Sequence, residues 1–269
     1  MDTETCARGC AKVSLVRPRL GIYVQVPFCQ TKCTYCNFHT GVVSSARFAP
    51  YVSAVCTEIE KHRDFYANTG VELPSSFRDA VADTVYFGGG TPSLLDPVHL
   101  QRMLGAIREK FVSASPEVTL EADPETVEAV KAASWVRAGI NRVSFGVQSF
   151  SDAELKATGR MHRRADVYRA VPILRDAGIR NLSFDLISGL PGQTRESWRA
   201  SLDELDHLIA CFGTGDRTQL GDGHIQLPDH GLLLTHARGL LARDPSHSSN
   251  WRAIQRRLCR SDRQRKSSG

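Results

Sequence analysis

Two stretches of this chain are close copies of one joint. AGINRVSF begins at Ala138 and AGIRNLSF at Ala177, so a helical pattern stops at a glycine and a β-branched, apolar run follows each time. Repetition of a helix–glycine–strand joint implies alternating helices and strands, and hence parallel strands joined by right-handed crossovers. Strands are expected at 21–26, 83–87, 118–121, 142–147 and 181–187. Helices are expected at 49–65, 97–111, 125–138, 167–177 and 201–210, with one more at 230–241. An open doubly wound sheet and a barrel both satisfy this pattern. A complete eight-unit barrel would need three further units, more than the roughly 70 residues after the last strand–helix unit supply.

In either architecture the chemistry belongs at the carboxyl ends of the strands. Cys29, the glycines 88–90, Glu121, Gln148 and Asp185 all fall at or near such ends, which implies one shared pocket. Cys29, Cys33 and Cys36 sit in YVQVPFCQTKCTYCNF, with exposed-loop residues between them. Three clustered thiolates suit three irons of a [4Fe-4S] cube and leave the fourth iron open. Zinc is the alternative, and it would need a fourth ligand, for which His39 is the candidate.

FGGGTPS at 87–93 lacks the GxGxxG spacing of a dinucleotide loop and the Gly-Lys-Ser of a phosphate loop. Its glycines allow close approach to backbone, and exposed N–H groups there could hold an anion or a carbonyl. Glu121 in TLEADPET could accept from an amine or a ribose, or cap the helix that Pro124 is expected to open. Arg160 in ATGRMH could pair with a carboxylate or lie on the surface. Asp185 interrupts the apolar SFDLISGLPG and, if buried, would demand a partner. His162 and His39 read as packed or surface histidines.

The formal charge of +5 is misleading. Residues 251–269 hold seven basic side chains and one acid, which leaves the first 250 residues at −1. That body lacks a basic patch with interleaved aromatics, so nucleic-acid binding is not expected. Asp2 and Glu4 precede any apolar run, unlike a signal peptide, and no run reaches membrane-spanning length. The eight cysteines are unevenly spread, Cys6 and Cys10 forming a second, weaker pair; a reducing, cytoplasmic setting with a metal-binding trio is expected.

Taken together, PFCQTKCTYCNF, YFGGGTPSLL, LEADPET, NRVSFGVQSF, LKATGRMH and LSFDLISGLPGQT resemble the radical S-adenosylmethionine (SAM) superfamily. The match runs from about Leu20 to Trp198. Within the superfamily they resemble the oxygen-independent coproporphyrinogen III oxidase-like subgroup, particularly its HemW-type haem chaperones. The resemblance implies a partial TIM-like (β/α) barrel of about five to six units as the core at 20–210. Before it lies an extension at 1–19, and after it a divergent, partly disordered basic tail at 211–269. It implies a cluster on Cys29, Cys33 and Cys36, with the cofactor's methionine moiety on the open iron. Tyr23, Gly89, Gly90, Thr91, Glu121, Gln148, Arg160 and Asp185 then match cofactor contacts. A low-potential electron donor, haem or another tetrapyrrole, and a haem-accepting apoprotein are the implied partners.

Oxidases of the subgroup carry a further cysteine two positions after the third. Asn37-Phe38 stands here, as in the chaperones, so haem binding is favoured over oxidative decarboxylation of propionate side chains. Two departures are visible. Gln25 replaces the usual histidine before the cysteines, and nothing in 211–269 resembles the strand and carboxyl-terminal domain that normally follow. The latter reads as a truncated or frame-shifted product as readily as a short variant, with impaired activity the expected consequence.

Overall fold

A computed structural model of the chain describes residues 19–70, 81–111 and 115–212. The extension at 1–18, the pair Cys6 and Cys10, the tail from 213 and the helix expected at 230–241 lie outside the described residues.

The chain runs β1 (Arg19–Val26), β2 (Phe28–Cys29), β3 (Gly41–Val42), α1 (Phe48–Glu60), α2 (His62–Asn68), β4 (Val81–Gly89) and α3 (Pro97–Lys110). It continues through β5 (Glu117–Ala122), α4 (Ala129–Ala138), β6 (Arg142–Gln148), α5 (Asp152–Ala157), α6 (Arg164–Ala177), β7 (Asn181–Leu186) and α7 (Arg195–Phe212). Among the described residues the main sheet has five strands in the order β1-β4-β5-β6-β7, every neighbouring pair parallel. Each strand pairs with the next one in sequence, so the order never reverses. That progression is the winding of a barrel, here five strand–helix units of one, rather than of a doubly wound sheet. The helices α1, α3, α4, α6 and α7 pack each against the next.

Side chains alternate across the strands. One face buries Val85, Phe87, Leu120, Val143 and Phe145 under the helices, where Leu100, Met103, Trp135 and Leu174 complete the core. Truncating a fully buried aromatic such as Phe145 to alanine would cost about 3–5 kcal/mol. The other face carries Tyr86, Glu121, Ser144 and Asp185 on adjacent strands. Tyr86 donates to Glu121 at 2.9 Å and Ser144 to Asp185 at 3.3 Å.

The repeated joint folds as its sequence suggests. Helices α4 and α6 end on Gly139 (φ 107°) and Gly178 (φ 102°), a left-handed conformation that costs glycine least. Ile140 N–H then donates to Trp135 O and Ile179 N–H to Leu174 O, both at 3.0 Å, and both isoleucines are buried. Each strand therefore leaves its helix in the same direction.

Two helical expectations need correction. The helix expected at 49–65 breaks at Lys61 (φ −107°, ψ 17°), where His62 Nδ1 lies 2.8 Å from Ile59 O and satisfies a carbonyl the helix leaves open. The helix expected from 125 is a 3-10 turn over Pro124–Thr126 followed by buried, extended Val127, with α4 starting only at Ala129. Thr126 Oγ1 donates to Asp123 O at 2.7 Å and shares a second hydrogen bond with the Ser93 hydroxyl, also at 2.7 Å, and these bonds hold the tighter turn. The short helix α5 and the small β2–β3 sheet have no counterpart in the sequence reading. No helix among the described residues is long and apolar enough to cross a membrane.

Candidate functional site

β1 runs through Pro27 into β2, which ends at Cys29, so the first cysteine is held at the carboxyl end of the sheet. Cys33 and Cys36 follow on a turn closed by the Cys36 N–H to Cys33 O at 3.2 Å. Lys32 Nζ donates to Phe38 O at 2.9 Å and to Thr40 Oγ1 at 3.2 Å, which ties the far side of the loop down. From across the site, Thr158 O accepts from Thr34 N–H at 3.1 Å and Gly159 O from Thr31 Oγ1 at 3.2 Å. The three thiols are free and half-buried. Burial pushes the Cys29 thiol up, against hydrogen bonds from Thr40 and Thr91 that pull it down.

An open cavity of about 200 Å³ lies between this loop and the strand ends. Cys29, Cys33, Cys36, Gly89, Gly90, Thr91, Glu121, Gln148, Arg160 and Asp185 all line it. Tyr23 does not. It lies on β1, 57% exposed, its ring stacked on Tyr86 with centroids 5.7 Å apart. His39 is exposed and outside the lining, as is Gln25. His162 is fully buried beneath, its Nε2 3.0 Å from Val147 O.

The glycine segment does something other than the expected presentation of N–H groups to a ligand. Gly89 N–H donates to Glu121 Oε2 at 3.0 Å, Gly90 N–H to Val26 O at 2.8 Å and Thr91 N–H to Phe28 O at 2.6 Å. All three donors are committed within the protein. A Cβ on Gly90 would lie 2.4 Å from Phe28 O, so glycine at 90 lets the segment lie against the backbone leading to Cys29. Gly146 serves the cavity more directly, since a Cβ there would lie 2.9 Å from Gln148 Nε2 and 3.2 Å from Arg160 Nη2. Gln148 itself has φ 66° at a register shift between β6 and β7, a strained backbone for a non-glycine residue of the kind that gathers at functional sites.

Glu121 caps no helix. Its two oxygens accept from Tyr86 and Gly89, yet burial pushes its carboxyl up to about 7, with Asp185 and Asp123 adding to the rise. Asp185 is half-buried, and Ser144 supplies the partner its position demands. Arg160 is not a surface arginine. Its Nη2 donates to Asp123 Oδ1 at 2.5 Å and to Gly146 O at 2.6 Å, while Nη1 lies 4.0 Å from Cys33 Sγ. Burial opposes its charge, but Asp123, Tyr35 and Cys33 outweigh that and hold the guanidinium above its ordinary value.

Sequence reasoning passed over Asp123, Glu125 and Tyr35, all of which line the cavity. The acids had a signal, because Glu121, Asp123 and Glu125 occupy alternate positions in LEADPET. Tyr35 had none beyond its place between two cysteines.

Among the described residues no three His, Cys, Asp or Glu side chains converge on one metal ion. A cubane asks for something else, since each thiolate takes a separate iron. Three soft, half-exposed thiols on the rim of one cavity are a donor set that suits it. Four acidic side chains line the same cavity as Arg160 and Lys32, and with Glu121 and Glu125 pushed up to about 7 the negative charge they offer a cationic ligand grows with pH.

The chain is 38% identical over 188 residues to the heme chaperone HemW of Synechocystis sp., covering 67% of this chain and 42% of that protein. It is 36% identical over 181 residues to HemW of Escherichia coli K12, covering 66% and 45%. It is 34% identical over 225 residues to radical S-adenosyl methionine domain-containing protein 1, mitochondrial, of Mus musculus, covering 80% and 48%. It thus spans about half or less of the length of these relatives. Among solved structures, the coproporphyrinogen III oxidase HemN of E. coli superposes with a TM-score of 0.62 over 86% of this chain and 54% of that one. At 24% identity that likeness speaks for the fold alone. Residues 23–205, which reach from within β1 into α7 and include every cavity residue named above, match the Radical SAM superfamily, and the chain belongs to that superfamily, with HemW proteins among its relatives.

Proposed function

We propose that this chain is a HemW-like haem-binding protein that holds a [4Fe-4S] cluster on Cys29, Cys33 and Cys36 and S-adenosylmethionine in the adjoining cavity. The observation that carries the reading is the cavity itself, where three thiols meet four acidic side chains and Arg160. When bound, the cluster and cofactor supply one-electron chemistry at the sulfonium. The chain's own part is to position and shield. Glu121, held by Tyr86 and Gly89, accepts from a cationic amine or a ribose hydroxyl. Arg160 is fixed by Asp123 and Gly146 O so that its remaining guanidinium edge faces Cys33. Thr91, whose Oγ1 donates to Asp123 at 3.2 Å, and the strained Gln148 fix the walls on either side. Tyr23, outside the lining, would reach the cofactor only at the cavity's edge.

Haem handling rests on the HemW-like relatives and on Asn37-Phe38, where an oxidase resembling this chain would carry its further cysteine. A recipient apoprotein and a low-potential reductant complete this reading, and a cytoplasmic setting suits it. The second reading, oxidative decarboxylation of coproporphyrinogen, draws on the fold shared with HemN.

Anaerobic purification followed by iron, sulfide and haem analysis tests both. Four irons per chain, lost in Cys33→Ala, with haem bound one-to-one and coproporphyrinogen untouched, is the expected result. Decarboxylation on adding cofactor and electrons would favour the second reading. A single zinc on the trio would overturn both.

A further inference from the structure

We propose that Glu125 and His162 share one proton beneath the cavity, and that through this bond His162 is a positioning residue for Gln148 and Arg160. The observation is a pair of buried polar atoms. Glu125 Oε2 and His162 Nδ1 face each other at 3.8 Å, and neither has a hydrogen-bond partner among the described residues. Such atoms are rare in folded proteins and call for an explanation.

The ring's other nitrogen settles how it is protonated. His162 Nε2 lies 3.0 Å from Val147 O, and a carbonyl only accepts, so Nε2 must donate. The ring is fully buried, and burial, reinforced by Arg160, pulls it down to about 4, so it is neutral. Nδ1 then presents a lone pair to Glu125. A carboxylate there would set two acceptors against each other, whereas a carboxylic acid donates. Burial and Asp123 push Glu125 up to about 7, which supplies that acid. Closing the gap takes a shift of roughly 0.8 Å, within reach of a rotating side chain that lines the cavity. The other charged groups acting on the pair are Arg160, Asp123 and Asp166, and Asp166 starts no competing bond because its Oδ2 accepts from Arg163 N–H at 2.8 Å.

What the pair holds is the irregular end of β6. The Val147 carbonyl that His162 grips lies between Gly146, whose carbonyl receives Arg160 at 2.6 Å, and Gln148, whose φ is 66°. Ser149 N–H also donates to this carbonyl, at 2.8 Å, so His162 is one of its two donors, and losing it loosens the segment that carries both cavity residues.

The test has two arms. In protein carrying 15N-labelled histidine, with His162 assigned by its absence from His162→Gln, the ring should remain the Nε2–H tautomer from pH 6 to 8. Its Nδ1 resonance should shift as Glu125 loses its proton, and Glu125→Gln should abolish that shift. This arm needs no cofactor. In anaerobically reconstituted protein, the S-adenosylmethionine dissociation constant is measured by calorimetry across the same range. Relative to Glu125→Gln, whose amide always donates, wild-type affinity should fall roughly fivefold from pH 6 to 8, the loss of one buried hydrogen bond. His162→Phe should bind roughly tenfold more weakly at every pH, and His162→Gln, which keeps a donor to Val147, should recover most of that. An Nδ1–H tautomer, a shift that survives Glu125→Gln, or full affinity in His162→Phe would overturn the proposal. If no cofactor binds at all, the reading of the cavity falls while the resonance arm still decides the pair.

Discussion

Glu121 is where single-residue physics is most exposed to measurement. Its folded-state value of about 7 stands above the ordinary 4.5, so its contribution to stability is complete below about 4.5 and lost as pH rises through about 7. A shift of that size corresponds to on the order of 3 kcal/mol for a mostly buried group. Glu125 pushes in the same direction, and His162 in the opposite one, being stabilising above 6.5 and lost as pH falls toward about 4. Protein without cofactor should therefore melt several degrees lower at pH 8 than near pH 6, and Glu121→Gln should remove about half of that slope. Thermal unfolding across pH 5–9 checks it; an unchanged slope would show that Glu121 is better solvated than its position implies. The Arg160–Asp123 pair makes a second residue-scale case, with side chains only 10% and 19% exposed. Arg160→Ala should cost about 3–5 kcal/mol by stranding Asp123, while Arg160→Ala combined with Asp123→Ala should recover part of it. A double-mutant cycle in denaturant gives the coupling. The residues themselves left Arg160 to pair with a carboxylate or lie on the surface, and could not name its partner, because the acid that claims it lies 37 positions away.

At the scale of elements, most helices and strands follow from local chemistry. Asp96 accepts from Val98 N–H at 2.9 Å with Pro97 in the first turn, and α3 begins where such a cap would place it. The departures arise where a bond from outside the helix intervenes, as with His62 on Ile59 O and Thr126 on Ser93. Gly90 is the sharpest element-scale prediction. Gly90→Ala would force a methyl to 2.4 Å from Phe28 O, so the glycine segment and the strand leading to Cys29 must separate. The expected outcome is a loss of at least 2 kcal/mol, by analogy with overpacked cores at roughly 1–3 kcal/mol, together with reduced cluster loading. Gly105→Ala on α3, where a Cβ meets nothing within 4 Å, is the control and should be neutral or slightly stabilising. Equal iron content in both variants would sink the argument.

For the molecule as a whole, the site joins segments from both ends of the described chain, from Cys29 to Asp185, so ligand binding should stabilise all of it. Saturating a site at a hundredfold over its dissociation constant adds about 2.7 kcal/mol, or roughly 5–10 °C for a domain of this size. Cluster-loaded protein should show that shift with S-adenosylmethionine, and Cys33→Ala should show none, as read by anaerobic calorimetry. A shift that persists in Cys33→Ala would mean that the cofactor binds without the cluster.

The sequence by itself determined the alternation, the parallel strands and the rim on which the cysteines, glycines and acids gather. Those depend on local signals: glycine stops, apolar period and short-range spacing. Only the tertiary structure decided that the strands succeed one another without reversal, that the glycine N–H groups are bound internally, that Tyr23 stands outside the cavity and that Glu125 faces His162. Each of these is a relation between residues far apart in the chain. Which donor meets which acceptor, and how deeply both are buried, is fixed only once the segments have packed together.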